Sequence, residues 1–320
     1  MPSIPLNSTT IALDESLRTR LRRRWHGLDP TVQGMVWAAL AGLLFCLLNT
    51  IVRDLTIKTN PMQAQFLRYL AGALLFIPLV LKAGLAAYRP KQIGGQFTRG
   101  AFHTLGLCLW FTALPNIPLA DMTAIGFTAP LFIMLGAYLF FKEPMHWDRW
   151  AAALLGFGGV LIVVAPKLSL HNIQGAGLYH LVMLASAPVF AASFLLTKAL
   201  TRNESAHVIV AWQGLTVTLF SLPLALFNWH PLTWQLCLGF MVAGVFGNAG
   251  HYCLTRAFAV ADISSTQSVK FLDLMWAALM GYIVFGDVPS NSTILGGVVI
   301  ASATIWIARR EAKGRETAKA

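Results

Sequence analysis

The sequence predicts an all-α polytopic membrane protein whose ten transmembrane helices form two inverted five-helix repeats. Of the 320 residues, 56% are hydrophobic and only 12% are charged, whereas an ordinary soluble domain has roughly 25% charged residues. Several stretches of about 20 residues are apolar on every side of a helix, as spans in contact with lipid require. A third observation, an internal duplication, predicts how the helices are arranged.

The duplication appears as landmarks that recur in the same order. Each half contains a proline, then an aromatic-rich segment that ends in an acidic residue, then a glycine-rich segment. The landmarks are Pro78, 138–143 (YLFFKE) and Gly156 in the first half, and Pro223, 282–287 (YIVFGD) and Gly296 in the second. The first two landmarks are 60 residues apart in one half and 59 in the other. Five crossings in each copy place the second copy upside down in the bilayer.

Ten apolar stretches predict the individual spans. The first repeat is predicted to cross the membrane at 31–52, 62–81, 97–116, 119–140 and 147–166. The second repeat is predicted to cross at 175–197, 207–228, 233–255, 262–285 and 291–309. Helices are expected because a transmembrane barrel needs alternating strands of about ten residues. The predicted organisation is a basic tail (1–30), a first repeat (31–166), a second repeat (175–309) and a second tail (310–320).

The distribution of positive charge predicts the orientation. With the amino terminus in the cytoplasm, 19 of the 24 Lys and Arg lie at the inner face, four of them between the second and third helices. Only Arg53, Lys58 and Lys167 lie at the outer face. The positive-inside rule therefore predicts a multi-pass protein of the cytoplasmic (inner) membrane with both termini in the cytoplasm. The basic residues that give the net charge of +11 are then expected to lie against anionic lipid headgroups. No nucleic-acid partner is predicted.

The sequence predicts neither a cofactor, nor a metal ion, nor catalytic chemistry. Its four cysteines lie within apolar stretches, at spacings that match neither a zinc site nor a disulfide framework. The spans contain no HExxH or GxSxG motif and no paired catalytic carboxylates. An intramembrane enzyme is therefore the disfavoured alternative class of function.

Ionisable residues within the spans are the first candidates for a functional site, because a charge in the bilayer is costly unless it is paired or faces water. Lys270 and Asp273 lie three residues apart and therefore share one face of the ninth predicted helix. The two side chains either form a structural salt bridge or hold the carboxylate and amine of a solute. Both alternatives remain open at the level of sequence.

Arg68 in the second helix is a further candidate. Alignment of the repeats through Pro78 and Pro223 places Gln213 at the corresponding point of the seventh helix. Arg68 lies only about two turns into its helix, so its long stem either reaches the outer headgroups or contributes to a pocket or gate.

Uncharged polar and aromatic residues complete the candidate set. His103 and His251 occupy corresponding halves and are candidates to carry a coupling proton, the alternative being hydrogen-bonded packing. Asn49 and Asn248 either bind a polar solute or join helices. Trp110 and Trp276 lie well inside spans, where they line a pocket for a flat solute or pack in the core.

Prolines and small residues indicate how the helices bend and pack. Pro130, together with Pro115, Pro118 and Pro188, is predicted to interrupt helical hydrogen bonding and to produce a kink. Small residues spaced by four give the fifth and tenth helices smooth faces: Ala152 with Gly156, and Gly297 with Ala301. Such faces suit close packing, either within the scaffold or in a homodimer.

The segments 118–163 and 255–289 resemble the ends of the first and second repeats of EamA-type transporters of the drug/metabolite transporter superfamily. The similarity covers residues 33–308, and Asp287 stands where the family more often has Glu. The resemblance implies ten helices, inverted repeats, and a central cavity lined mainly by helices 1, 3, 4, 6, 8 and 9. It does not imply a substrate.

We therefore expect a secondary transporter that moves a small polar organic metabolite, such as an amino-acid-like compound, by alternating access. Export is favoured over uptake by analogy with the family. The alternative is uptake of a vitamin or nucleotide-like metabolite such as riboflavin or S-adenosylmethionine. The expected partners are the small-molecule substrate and the lipid bilayer, with protons as a candidate coupling ion.

Overall fold

The computed structural model describes residues 25, 27–126, 128–142, 147–167, 176–227, 229–266, 269 and 271–319. These residues form helices and connecting turns, and no strand occurs among them. The helices are α1 (Pro30–Lys58), α2 (Pro61–Ala83), α3 (Ile93–Ala113), α4 (Leu119–Gly126), α5 (Ala129–Phe141), α6 (Trp147–Val164), α7 (Ala176–Leu200), α8 (Ala206–Leu226), α9 (Trp234–Val260), α10 (Ile263–Thr266), α11 (Phe271–Phe285) and α12 (Asn291–Lys319).

Six helical segments in the described part of the chain are long and apolar enough to cross a membrane. They are Pro30–Lys58, Pro61–Ala83, Leu119–Phe141, Gly177–Leu200, Ala206–Leu226 and Trp234–Val260. Three apolar helical stretches are shorter, namely Leu154–Val163, Met275–Phe285 and Asn291–Ala303. The predicted all-helical membrane fold is confirmed, whereas the count of ten spans stays a prediction.

Two predicted spans that hold equivalent places in the repeats each contain two helices. The fourth span is divided into α4 and α5, and the ninth into α10 and α11. In the fourth span, Pro130 lies in the first turn of α5, where its missing N–H and fixed φ are tolerated. The interruption predicted at this proline is therefore observed.

The ends of α5 and α11 share an unusual backbone conformation. Lys142, at the end of α5, has φ 54°, and Gly286, just after α11, has φ 66°. These residues are equivalent in the aligned landmarks, since each lies four residues after the tyrosine. Glycine adopts this left-handed conformation without steric cost, whereas a lysine meets a clash at its Cβ. Both copies of the repeat thus end this helix in the same way.

Helix packing follows the repeat. The four most extensive helix pairs are α1 with α9, α3 with α7, α2 with α8, and α6 with α12, and each joins the first repeat to the second. If each helix is replaced by its counterpart in the other repeat, the pair α1–α9 becomes α7–α3. The pairs α2–α8 and α6–α12 stay the same. A pseudo-twofold relation between the repeats produces this pattern.

Glycines allow α6 and α12 to approach backbone to backbone. A Cβ placed on Gly159 would lie 2.7 Å from the Gly296 carbonyl oxygen, and one on Gly296 would lie 2.4 Å from that of Gly159. The close contact therefore uses Gly159 and Gly296, whereas the packing faces predicted from residues 152, 156, 297 and 301 stay a prediction. Nothing lies within 4 Å of a Cβ placed on Gly156.

Candidate functional site

A cavity of about 240 Å³ lies between the two repeats. Its walls come from α1, α3, α4, α5, α7, α9 and α11, which correspond to the six helices implied by the family resemblance, and also from α2. Gly126 and Pro130, on either side of the α4–α5 junction, both line it. The interrupted helix therefore borders the cavity, an arrangement typical of transporters that bind substrate beside discontinuous helices.

Aromatic rings form much of the cavity wall. Trp110 and Phe111 lie with their ring centroids 5.3 Å apart, and Phe190 and Phe194 stack at 6.1 Å with an interplanar angle of 17°. Phe190 reaches this position because α3 presents Gly106 to it, where a Cβ would lie 3.0 Å from the ring. Such a wall suits a flat organic solute, since aromatic rings offer large apolar area at fixed positions.

A buried hydrogen-bond network centres on Tyr69 of α2. The Tyr69 hydroxyl lies 2.9 Å from Nε2 of His103 and 3.3 Å from Nε2 of His251. Nδ1 of His103 lies 3.0 Å from the Ser193 hydroxyl on α7. Both predicted histidines line the cavity, and one tyrosine joins them. The network ties α2, α3, α7 and α9 together at the wall.

Arg99 extends the network behind the cavity. Its guanidinium donates from Nε to Oγ1 of Thr197 at 2.6 Å, from Nη1 to the Ile209 carbonyl at 3.2 Å, and from Nη2 to Oε1 of Gln213 at 2.6 Å. Gln213 in turn lies 3.3 Å from Nε2 of His251. Gln213 is thus part of the site without lining the cavity, and Arg99 fixes α3 against α7 and α8.

Arg68 lines the cavity and is only 4% exposed. Its guanidinium carbon lies 3.9 Å from the centroid of the Tyr69 ring, a cation–π arrangement. A Cβ on Gly247 of α9 would lie 2.0 Å from Nη2, so this glycine makes room for the guanidinium. The buried position places the side chain at the pocket and not on the outer surface of the bundle.

Asp273 and Asn49 also line the cavity, from α11 and α1. A Cβ on Gly42 would lie 1.9 Å from Oδ1 of Asp273, so the carboxylate rests directly against the backbone of α1. Lys270, the predicted neighbour of Asp273, lies outside the described residues. The alternatives for this pair therefore stay predictions.

The remaining candidates lie away from the cavity surface. Asn248 donates from Nδ2 to the Gly72 carbonyl at 2.8 Å and so joins α9 to α2. Trp276 is partly buried and packs against the larger hydrophobic core cluster. Of the candidates within the described residues, Arg68, Asp273, His103, His251, Trp110 and Asn49 line the cavity, whereas Gln213, Asn248 and Trp276 do not.

The cavity extends from the middle of the bundle towards the end at which α1 and α3 finish. Its lining residues run from Gly42 to Val52 on α1 and from His103 to Phe111 on α3. Beneath it, an apolar cluster fills the bundle towards the opposite end. This floor cluster consists of Ala38, Ala41, Ile133, Ala137, Ala191, Cys253, Leu254, Ala257, Phe258 and Ile263. Both repeats contribute to the floor cluster.

Polar contacts join the repeats at the end of the bundle opposite the floor cluster. Arg53, near the end of α1, donates to Asp287, which follows α11. The family-marker carboxylate of the second repeat is therefore an ion-pair partner. Asp121 of α4 accepts from the Thr293 hydroxyl at 2.7 Å and lies 3.4 Å from Nε2 of His180. These rim contacts link α1 and α4 of the first repeat to the second.

Sequence reasoning missed Tyr69 and Arg99. The charge count assigns Arg99 to the loop between the second and third helices, whereas α3 begins at Ile93 and buries Arg99 to 2% exposure. Its position within the predicted span 97–116 was the available signal. Tyr69 gives no such signal, because its partners His103 and His251 come from other helices.

Helical architecture and a central cavity between two repeats are features of a membrane carrier for small molecules. The model of the EamA-like transporter family matches residues 32–165 and again 177–309. The chain belongs to this family and is a multi-pass membrane transporter of a small molecule.

Curated relatives carry different substrates. The chain is 34% identical over 283 residues to a riboflavin transporter of Rhizobium johnstonii, covering 88% of this chain and 92% of the relative. It is 25% identical over 287 residues to an S-adenosylmethionine uptake transporter of Rickettsia prowazekii, covering 89% and 96%. It is 28% identical over 289 residues to a pseudopaline exporter of Pseudomonas aeruginosa, covering 88% and 98%.

A solved crystal structure supports the fold alone. It is 19% identical, gives a TM-score of 0.63, and covers 85% of this chain and 98% of its own.

Proposed function

We propose that this protein is a secondary transporter that takes up a small metabolite with a heteroaromatic ring across the cytoplasmic membrane by alternating access. The observation that carries the proposal is the cavity between the repeats, with an aromatic wall beside a buried polar network. Carriers of this design bind the solute near the middle of the bilayer, at the interface of their repeats.

The chemistry of the wall supports a heteroaromatic substrate. Trp110 and Phe190 offer flat apolar faces, while Asn49 offers hydrogen bonds at the cavity surface. Riboflavin and S-adenosylmethionine, named for two groups of relatives, both contain a fused ring system with nitrogen atoms. This shared ring chemistry is the reason for proposing a heteroaromatic substrate in place of the amino-acid-like metabolite expected from sequence.

The proposed topology has ten spans, inverted repeats and both termini in the cytoplasm. In this orientation the floor cluster closes the cytoplasmic side and the cavity extends towards the outer side. Transport then requires the floor cluster to separate while the rim contacts tighten around the outer end, as one repeat rocks against the other. A proton is a candidate coupling ion because His103 and His251 both line the cavity.

Proteoliposomes test the proposal with a matched pair of tryptophan variants. Wild-type protein should accumulate labelled riboflavin or S-adenosylmethionine. Trp110→Ala, at the cavity, should reduce uptake by on the order of tenfold, since one stacking contact contributes about 1–3 kcal/mol. Trp147→Ala, whose residue is 76% exposed, is the control and should retain uptake. No uptake of either compound by folded wild-type protein would contradict the proposal.

Export is the second candidate, and similarity to the pseudopaline exporter favours it. The same vesicles separate the two directions. Vesicles that contain the protein are loaded with labelled solute, and a proton gradient is imposed in each direction in turn. An exporter should release the label under one polarity of this gradient, whereas an importer should release it only under the opposite polarity.

A further inference from the structure

Two guanidinium groups lie inside the helical bundle and have no anionic partner among the described residues. Arg68 is 4% exposed and Arg99 is 2% exposed. Within the described part of the chain, the ion pairs are Arg53–Asp287, Lys58–Asp54 and His180–Asp121, and neither buried arginine takes part in one. A charge in the middle of a membrane protein is costly, and its presence commonly marks a solute pathway.

The partners of both guanidinium groups are neutral. Arg99 donates to a threonine hydroxyl, a backbone carbonyl and a glutamine oxygen. Arg68 lies over the Tyr69 ring and against Gly247, and its Nε has no hydrogen-bond partner although it is buried. Of the two, only Arg68 reaches the cavity surface. An anion that enters the cavity would therefore meet Arg68 first, with Arg99 adding positive potential from behind.

The described part of the cavity lining also contains one carboxylate, that of Asp273. Asp273 lies on α11 and rests against Gly42 of α1, whereas Arg68 projects from α2 beside α9. An acidic group of a solute is attracted to the Arg68 guanidinium.

We propose that Arg68 binds an acidic group, a carboxylate or a phosphate, of the transported metabolite, while the ring system of that metabolite lies against Trp110 and Phe190. The inference rests on the proposed function and adds to it the charge and orientation of the substrate. An arginine fork donates two parallel hydrogen bonds to either kind of anion. The solute supplies the counter-charge that the described residues do not provide to Arg68.

Two neighbours hold the guanidinium in place. Tyr69 supports one face of it, and the tyrosine is itself fixed by its hydrogen bonds to both cavity histidines. Gly247 leaves the space for Nη2, which a methyl group would occupy. Gly247→Ala therefore displaces the guanidinium while the charge stays in the protein, and it serves as a second variant beside substitutions of Arg68.

The test measures binding of two matched pairs of compounds, each with and without the acidic group. Riboflavin phosphate and riboflavin report on a phosphate, and S-adenosylmethionine and its decarboxylated form report on a carboxylate. Wild-type protein should bind the acidic member of at least one pair on the order of tenfold more tightly, the effect of one charge-assisted hydrogen bond. The pair that shows the preference identifies the kind of acid.

Arg68→Gln and Gly247→Ala should both abolish the preference, and Arg68→Lys should retain part of it. The control is Arg89→Gln, at an exposed position, which should leave the preference unchanged. If Arg68→Gln does not fold, Arg68→Lys and Gly247→Ala still decide the result. Equal binding within both pairs, or an unchanged preference in the variants, overturns this inference and leaves the proposed function intact. If wild-type protein binds none of the four compounds, both this inference and the proposed function are overturned.

Discussion

The imidazole rings of His103 and His251 lie with their centroids 5.2 Å apart, and one tyrosine hydroxyl contacts both. The two histidines come from α3 and α9, which are equivalent helices of the two repeats. The Tyr69 hydroxyl thus connects the repeats at the cavity wall. Any movement of one repeat against the other changes this contact.

Tyr69→Phe tests the connection. The substitution keeps the ring beneath Arg68 but removes the hydroxyl, so Nε2 of each histidine loses that buried partner. We expect the free energy of unfolding to fall by about 1–3 kcal/mol, seen as a lower Tm of the purified protein. Tyr138→Phe, at a residue that is 51% exposed, is the control. Equal Tm values for the two variants would show that the hydroxyl contributes nothing to stability.

The backbone is left-handed at Lys142 and Gly286, which end α5 and follow α11. At both positions we therefore expect glycine to stabilise the protein relative to lysine. Lys142→Gly should raise the Tm, because the left-handed conformation costs a residue with a Cβ about 1–2 kcal/mol. Gly286→Lys should lower the Tm by introducing the same cost in the second copy. Thermal unfolding of both variants checks the pair, and a change of the same sign in both would be inconsistent with the shared geometry.

The contact between α6 and α12 predicts a difference between two glycines on one helix. Gly159→Val places a side chain where the Gly296 backbone lies and should destabilise the protein by about 1–3 kcal/mol. A Cβ placed on Gly156 meets nothing within 4 Å, so Gly156→Val should leave the Tm unchanged in the monomer. If Gly156→Val instead dissociates a dimer in size-exclusion chromatography, it confirms the predicted homodimer surface.

Asp273→Asn tests whether the cavity carboxylate acts on the solute. We expect transport to fall by on the order of tenfold, the loss of one charge-assisted hydrogen bond, while expression and Tm stay close to those of wild type. Lys270→Ala should behave in the same way if the two side chains share this role. Asp54→Asn, whose side chain is 50% exposed in a surface ion pair, is the control, since such pairs contribute little. A parallel loss of folded protein would instead indicate a structural bridge.

Repeat landmarks and apolar stretches made the helical membrane fold predictable, because these patterns are dictated by the lipid solvent. The polar candidates in the spans were also predictable as a set, since each breaks the apolar pattern. Their partners were not, because pairs such as His103 and Ser193 are 90 residues apart in the chain and meet only through packing. The interruption of the fourth span was visible from Pro130.

Arg99 shows why counting charges has a limit. A basic residue near a predicted helix end supports the orientation whether it contacts headgroups or turns inward. Its inward position depends on Gly100, which allows α3 to approach Thr216 of α8 so closely that a Cβ would lie 2.3 Å from the hydroxyl oxygen. That approach is a property of the assembled bundle and not of the local sequence.

Solute counterflow tests the central claim, alternating access at the cavity between the repeats, most directly. Proteoliposomes are loaded with an unlabelled metabolite, riboflavin or S-adenosylmethionine in separate experiments, and diluted into a trace of its labelled form. A carrier exchanges solute molecule for molecule, so we predict transient accumulation of label above equilibrium, reduced in Trp110→Ala and retained in Trp147→Ala. Equilibration without an overshoot, as through a channel, or no entry of either label would contradict the account.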